Sequence, residues 1–215
     1  MSKKVFAIIL IVCLAFSVAF AAKKSGFTAG AELGYGAMNF TFSDKNSSDY
    51  IRLSNGGFYL AGTVEYGLSK NLSVVGKAGI NTLGLASIKI SADGWEHTEK
   101  DDGSAPVQFV AYVGAQYKFI LADNLSLNLG AGFDTMLGKL DSDDKDSFNA
   151  AMGIGFEAGV CFKPTENLAI TLTDRFAWHF VNTNKGFEDF ETLLGDDVSF
   201  TNISNQSSIG VKYFF

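Results

Sequence analysis

Apolar and polar side chains alternate with a period of two along most of the chain. In the segment that begins at Phe27, for example, Leu33 and Tyr35 share one face with Phe27, and Glu32 lies on the other face among glycines. Such alternation is typical of a β-strand with one apolar face. Comparable segments begin at Phe58, Leu72, Val107, Leu125, Met152, Leu168 and about Thr201. Each has at least the roughly 9–11 residues that cross a bilayer at a tilt.

A short sequence pattern recurs between these segments: a charged residue, Asn, Leu, a small residue and an aliphatic one. Its three copies are Lys70–Val74, Asp123–Leu127 and Glu166–Ile170, with Asn71, Asn124 and Asn167 at the second position. Each copy ends one alternating segment and starts the next, and Asn tolerates the left-handed turn conformation, so each predicts a tight hairpin. Three short turns on one side, separated by longer polar segments, predict four loops on the other side and therefore eight strands.

The two strand faces distinguish a membrane barrel from a soluble one. A lipocalin-like barrel would turn its apolar faces inward, whereas here the opposite faces carry the small and charged residues that suit a narrow, packed lumen. We therefore predict an all-β fold, an eight-stranded antiparallel up-and-down transmembrane β-barrel, with aromatic girdles near the strand ends. Asp174 departs from the pattern, because it falls in the lipid-facing phase between Leu172 and Phe176. Either a bulge or an error in the predicted register would explain it.

The start of the chain is typical of a secretory signal peptide. Lys3 and Lys4 precede the apolar run Val5–Val18, and the small residues that follow predict cleavage after Ala21. The run is shorter than the ~20 apolar residues of a membrane anchor. Residues 1–21 are therefore the predicted signal peptide, and residues 22–215 are the predicted barrel domain.

Charge and cysteine content narrow the classes of partner. The chain has 17 Lys and Arg against 23 Asp and Glu, and loss of the signal peptide changes its net charge from −6 to −8. So acidic a chain is a poor candidate for binding nucleic acid. Lipoprotein cleavage before Cys13 is disfavoured because Val12 is bulky. Only Cys161 would remain in the mature protein, which excludes an internal disulfide.

Charged residues of both signs occur in the lumen-facing phase. The eight residues are Glu32, Glu65, Lys77, Lys118, Asp134, Glu157, Arg175 and Lys212. They could form an ion path or charge gate, or a salt-bridge plug that satisfies charges in a dry interior. We favour the plug, because an eight-stranded barrel is only just wide enough for its own side chains. Since closure joins the first and last strands, we also expect Glu32 and Lys212 to approach each other.

Catalytic and metal-binding signals are weak. Residues 175–182 resemble the His-x-Ser-Asn stretch of outer-membrane lipid A deacylases, but Val181 replaces the nucleophilic Ser, so His179 lacks a neighbouring nucleophile. We expect no enzyme activity, no cofactor and no metal site. Calcium is disfavoured at the acidic stretch that starts at Asp141, because the glycine and final Glu of a hand-type loop are missing.

The four longer loops are the expected functional surface, since loops on rigid scaffolds carry recognition. They are predicted at about Ser43–Asn55, Ser87–Ser104, Asp141–Ser147 and Asn182–Ser199. Their exposed-looking aromatic residues, which could anchor a partner or contact lipid headgroups, are Tyr50, Trp95, Phe187 and Phe190.

The last strand places Ile209, Val211, Tyr213 and Phe215 on its apolar face. This ending resembles the signal, terminal Phe included, that bacterial outer-membrane barrels present to their assembly machinery. Together with the signal peptide and the three Asn-Leu turns, it makes the chain resemble the small eight-stranded outer-membrane barrels of the OmpA/OmpX type.

The resemblance implies a location in the bacterial outer membrane, with the N-terminus and short turns in the periplasm and the four longer loops outside the cell. Outer-membrane lipid and the barrel assembly machinery are the implied partners, together with a possible host or cell-surface ligand at the loops. It further implies a role in adhesion, host interaction or envelope integrity. The alternative function is a narrow, porin-like channel for ions or small solutes.

Overall fold

A computed structural model of the chain describes residues 26–82, 84–92, 95–100, 107–139, 148–183 and 198–215. The predicted signal peptide and most of the predicted third and fourth loops, with Phe187 and Phe190, lie outside these residues. The strands within these ranges are β1 (Phe27–Asp44), β2 (Tyr50–Gly67), β3 (Leu72–Thr82), β4 (Gly84–Ala92), β5 (Trp95–Glu99), β6 (Val107–Ala122), β7 (Leu125–Lys139), β8 (Phe148–Phe162), β9 (Leu168–Asn182) and β10 (Val198–Phe214). Within these ranges, no helix is long and apolar enough to span a membrane.

Eight of these strands close into a ring. Around it the order is β1, β10, β9, β8, β7, β6, β3 and β2, and β2 pairs with β1 again. The pairs are antiparallel, and the closing pair runs from Thr28–Phe214 to Asp44–Val198. The predicted eight-stranded antiparallel up-and-down barrel is confirmed.

The barrel has a turn end and a loop end, and its strands continue well beyond the ring at the loop end. The turn end is defined by the short connections 68–71, 123–124 and 163–167. Toward the loop end, β2 leaves β3 and pairs with β4, and β4 pairs with β5. The predicted extents of the first two loops are therefore wrong. β1 and β2 are joined by residues 45–49 alone, and Ser87–Ser104 contains most of β4 and all of β5.

The predicted strand phases agree with the exposure of the side chains. Aliphatic and aromatic residues cover the outside of the ring as an apolar belt, with Phe133 73% exposed and Leu172 65% exposed. The predicted assembly-signal residues Val211 and Tyr213 face outward within this belt, as do Ile209 and Phe215 at either side of them. The barrel therefore presents apolar side chains outward and polar side chains inward, as a protein surrounded by lipid requires.

Near the loop end, the apolar and polar side chains exchange strand faces. On β1, Met38, Phe40 and Phe42 are buried inside the barrel. Their neighbours face outward and form polar contacts there: Ser54 donates to Asn39 at 2.8 Å, and Arg52 Nε lies 3.3 Å from Thr41 Oγ1. A surface that is polar outside and apolar inside is that of a protein in water. The reversal consequently places the upper limit of the apolar belt close to Ala37 on β1.

Asp174 lies on the outward face of β9 without any irregularity. It is opposite Ala158 of β8 and Ser207 of β10, and the one register shift between β8 and β9 falls elsewhere, at Met152–Gly153. Neither the bulge nor the register error that the sequence suggested is present. Asp174 instead accepts a hydrogen bond of 2.7 Å from the Ser207 hydroxyl.

The three asparagine turns share one backbone contact. The carbonyl oxygens of Asn71, Asn124 and Asn167 accept bonds from the amides of Lys118, Lys163 and Phe214 at 2.7, 2.8 and 2.9 Å. Each turn is thereby joined to the strand next to its own hairpin. At the closing pair, the Phe215 amide makes a similar bond to the carbonyl oxygen of Phe27, at 3.2 Å.

Candidate functional site: the charged lumen

All eight predicted lumen residues face into the barrel. Seven of them are buried, and the side chain of Lys118 is 23% exposed toward the turn end. Each of the eight strands of the ring supplies one of them, so their contacts depend on register and not on proximity in sequence. The structure arranges them in three clusters.

The first cluster lies nearest the turn end and centres on Glu65 of β2. The carboxylate binds the amines of both Lys118 and Lys212, the latter at 3.1 Å. Lys212 reaches Glu65 across β1, where Gly30 lies directly opposite Lys212. A Cβ atom at Gly30 would come within 2.9 Å of the Lys212 side chain, so glycine provides the space for this crossing.

The second cluster occupies the centre of the lumen. The amine of Lys77 lies between two carboxylates, at 3.1 Å from Glu32 and also in contact with Glu157. Tyr59 donates a 2.6 Å hydrogen bond to Glu32, and Gln116 donates one of 3.1 Å to Glu157. Both carboxylates therefore have a charged and a neutral donor, which offsets much of the cost of burying them.

The third cluster surrounds Arg175 of β9. Its Nε lies 3.3 Å from Asp134, whose other oxygen is 3.0 Å from Nε2 of His179. The guanidinium also donates to Gln206 and lies between the rings of Tyr59 and Tyr112, at 5.9 and 5.1 Å from their centroids. Because Tyr59 also binds Glu32, the second and third clusters form one continuous network.

The predicted contact between Glu32 and Lys212 is wrong. In the closing pair, Lys212 is opposite Gly30, and Glu32 is opposite Gly210. Glu32 pairs instead with Lys77 of β3, whereas Lys212 pairs with Glu65 of β2. Both partners lie beyond the adjacent strand, because small inward residues let long side chains extend across the lumen.

An apolar collar lies above the network, toward the loop end. Its buried side chains include Met38, Phe40, Phe42, Val110 and Met136, with Leu53 and Phe200 packed against them. The Phe200 ring lies 5.0 Å from that of Phe42 and 6.2 Å from that of Phe40. The collar and the charged network together fill the lumen in two layers, one of apolar packing and one of ion pairs.

A cavity remains at the turn end, below the Glu65 cluster. It has a volume of about 160 Å³ and is lined by Lys70, Lys163, Lys212 and Cys161, among others. Lys163 also lies over the ring of Phe214, at 3.7 Å from its centroid. The cavity does not extend through the network, since its lining includes no residue of the collar.

Sequence reasoning found the charges of the lumen but missed much of its neutral part. The predicted lumen set does not include Tyr59, Tyr112, Gln116 and Gln206, and His179 is considered there only as a catalytic candidate. These neutral residues are predictable from the sequence, because each is a polar side chain in the lumen phase of its strand. The collar was missed because residues 38–42 were not assigned to a strand that continues past the belt.

The geometry contains no assembled catalytic or metal centre in the part of the chain that the structure describes. His179 is buried with Asp134 on one side, and its Nδ1 has no hydrogen-bond partner among the described residues. A nucleophile in contact with the imidazole would be needed for acyl chemistry. No group of three His, Cys, Asp or Glu side chains within the described ranges could hold a metal ion.

Outside the belt, the β4–β5 hairpin presents a small polar and aromatic surface. Lys89 and Glu96 form an ion pair of 2.9 Å, and Tyr50 lies beside it. Hydrogen bonds with Tyr50 and Glu96 raise the pKa of Lys89, and Lys89 in turn lowers the pKa of Glu96. Trp95 is 61% exposed and stacks on His97 at 5.4 Å.

Comparison with known proteins agrees with this architecture. The sequence matches the outer membrane protein beta-barrel domain family over residues 6–215. No curated protein sequence matches the chain. Among solved structures, Neisserial surface protein A is similar, with a TM-score of 0.55 and 18% identity, covering 89% of this chain and 98% of that one.

Two further structures of outer-membrane proteins are similar at lower scores. OprG from Pseudomonas aeruginosa has a TM-score of 0.50 and 12% identity, covering 89% of this chain and 97% of that one. AlkL, determined in lipid bilayers, has a TM-score of 0.50 and 17% identity, covering 90% of this chain and 94% of that one. At these identities the likeness concerns the fold alone.

Proposed function

Because the chain belongs to the outer membrane protein beta-barrel domain family, we propose that it is a closed surface scaffold of the bacterial outer membrane whose loop end binds a partner. In outer-membrane barrels the short turns face the periplasm and the longer connections face the exterior. The signal peptide of residues 1–21 would be removed on export, and Ile209, Val211, Tyr213 and Phe215 would be read by the assembly machinery. Adhesion, host interaction and envelope integrity are the roles that suit such a scaffold, and none of them needs catalysis.

The observation that carries this proposal is the filling of the lumen by two different layers. An ion that entered from the turn end would meet the Lys77 pairs with Glu32 and Glu157, which are buried and hydrogen-bonded. Beyond them it would meet the apolar collar around Phe42. A path through the barrel would require both layers to open.

The loop end supports the recognition part of the proposal. The strands continue past the belt as a water-facing extension, so its outer surface is held on β-structure and not on unstructured loops. Trp95 and Tyr50 lie there beside a charged pair, and exposed aromatic side chains next to polar groups are typical of interface anchors.

Two measurements on the full chain test the proposal. Refolded protein in planar bilayers should give no steady conductance, under conditions in which a porin refolded in the same way does. Cells that display the chain should bind host cells or matrix, and replacing residues 85–99 with a short turn should reduce that binding several-fold. A Val113→Thr change in the belt is the matched control and should leave binding unchanged.

A narrow channel is the second candidate, favoured by the lysine-lined cavity at the turn end. Steady channel openings that select ions by charge would support this channel and contradict the closed scaffold. If the bilayer shows no conductance and binding survives removal of the hairpin, the closed barrel is supported. The role of the hairpin in binding is then wrong.

A further inference from the structure

One polar group interrupts the lipid-facing surface between β9 and β10. Asp174 accepts bonds from the Ser207 hydroxyl at 2.7 Å and from the Asn205 amide at 3.4 Å. These three outward-facing residues, here called the lateral patch, come from two neighbouring strands and converge on one carboxylate. Because the three side chains contact one another, they form one cluster on the otherwise apolar outer surface.

Asp174 and Ser207 lie within the apolar belt, and Asn205 lies at its upper limit, opposite Ala37. Leu172 and Ile209 are paired on the side toward the turn end, and Trp178 and Ile203 are paired on the side toward the loop end. Leu172, Trp178 and Ile209 are each at least half exposed on the outside of the barrel. Lipid chains would therefore surround Asp174 in an isolated barrel.

A carboxylate in this position is costly in a single barrel. Ionisable side chains that face hydrocarbon are rare in membrane proteins and usually mark a functional contact. Among the residues that the structure describes, Asp174 is the one charged residue in the outward phase of the belt, so no neighbouring cation offsets it. Its hydrogen bonds to a hydroxyl and an amide satisfy only part of its acceptor capacity.

The lateral patch has both unused hydrogen-bond acceptors and an unused hydrogen-bond donor. Asp174 has lone pairs to spare, and the Asn205 amide has a second N–H that its bond to Asp174 does not use. Groups that offer both unused donors and unused acceptors are complementary to themselves when related by a two-fold axis. The small residues beside the patch are Ala158, opposite Asp174, and Ala37, opposite Asn205, whereas Tyr35 and Phe176 are the large neighbours of Ser207 and Asn205. A partner would therefore reach Asp174 from the side of Ala158.

We propose that the lateral patch is the contact between two copies of this chain in the membrane, with Asn205 of each copy donating to Asp174 of the other. The pairing removes the carboxylates from lipid and adds a third donor to the two around each one. It requires no basic residue from the partner, in agreement with the uncharged outward faces that the other described strands present within the belt. The barrel would thus have a defined lateral face on β8, β9 and β10.

Disulfide cross-linking of the full chain in bilayers tests this contact. Ala158→Cys places a thiol beside the patch without altering it, in a Cys161→Ser background that removes the buried cysteine of β8. Val113→Cys on β6 is the matched control, because it is outward-facing and lies four strands from β10 around the ring. We expect the Ala158→Cys chain to form dimers about tenfold faster than the control, since a specific contact raises the effective concentration of the thiols.

Changes within the lateral patch complete the test. Asp174→Leu should lower cross-linking at position 158 to the level of the control, and Asn205→Leu should do the same. A heat-dependent gel shift of each variant verifies that the barrel has folded. Equal rates at positions 158 and 113, or a rate that Asp174→Leu leaves unchanged, would overturn the proposal. So would cross-linking in native outer membranes to a different protein in place of a second copy.

Discussion

Lys77 is the residue on which the central ion pairs of the lumen depend. Its amine contacts both Glu32 and Glu157, and all three side chains are buried. Replacing Lys77 by Met would leave two carboxylates without their shared cation. Because loss of one partner leaves buried charge uncompensated, we expect the free energy of unfolding to fall by about 3–5 kcal/mol. Urea titration of the refolded barrel in lipid vesicles measures it.

Lys118→Met is the matched control for that change. Lys118 is partly exposed, and its partner Glu65 keeps Lys212, so the expected loss is only ~1 kcal/mol. The triple change Lys77→Met, Glu32→Gln and Glu157→Gln should recover most of the stability, since it removes the unpaired charges as well. Equal losses for the two single variants would show that the ion pairs contribute little to stability.

Glu96 provides a pH-dependent contact at the loop end. Its pKa is lowered chiefly by the hydrogen bond and charge of Lys89, so the contact is complete above the ordinary pKa of Glu and is lost as pH falls through the lowered value. We expect the emission of Trp95, in a Trp178→Phe background, to change over that acidic range. In the Glu96→Gln variant the change should vanish, and its persistence there would assign it to another group.

At the scale of the element, the asparagine turns differ in one testable respect. Asn71 uses its carbonyl and also its side chain, whose amide donates to the carbonyl of Lys118 at 2.7 Å. Asn124 is tied to Lys163 through its carbonyl. We therefore expect Asn71→Ala to cost about 1 kcal/mol of unfolding free energy in vesicles and Asn124→Ala clearly less. The reverse order would show that turn conformation matters more than the side-chain bond.

The strands and their faces were predictable because alternation is a local property of the sequence. The segment from Phe27 alternates regularly, and its predicted lipid and lumen faces are those of the structure. The partners of each lumen charge were not predictable in the same way. Whether Lys212 meets Glu32 or Glu65 depends on the stagger between strands that are distant in sequence, and on the space that Gly30 leaves.

The loop-end extension shows how a strand can be missed when its environment changes along its length. From Gly36 to Ser43 the alternation continues without a break, but the apolar residues move to the inward face. A search for lipid-facing residues ends where the belt ends, so Ser43–Asn55 was predicted as a loop. The full length of β1 is predictable only if two environments are considered, with lipid outside the part near the turn end and water outside the part near the loop end.

For the whole molecule, the reversal of polarity predicts where the bilayer ends. A spin label at Leu33→Cys should be accessible to oxygen dissolved in lipid, and one at Thr41→Cys to a water-soluble nickel chelate. On β10, Val211→Cys and Thr201→Cys form the equivalent pair. A label at position 41 with the same preference for oxygen as the label at position 33 would place the extension inside the membrane.

The pairing of β1 with β10 has a consequence for the life of the protein before it reaches the membrane. Thr28 pairs with Phe214, which is 186 positions later in the chain, so neither of these two strands can find its partner until nearly everything between them has been delivered. Until then both edges offer unpaired amides and carbonyls to any other extended chain. Because this seam forms last, we expect the polypeptide to stay unfolded until it reaches the outer membrane, where earlier exposure of the two edges would otherwise lead to aggregation.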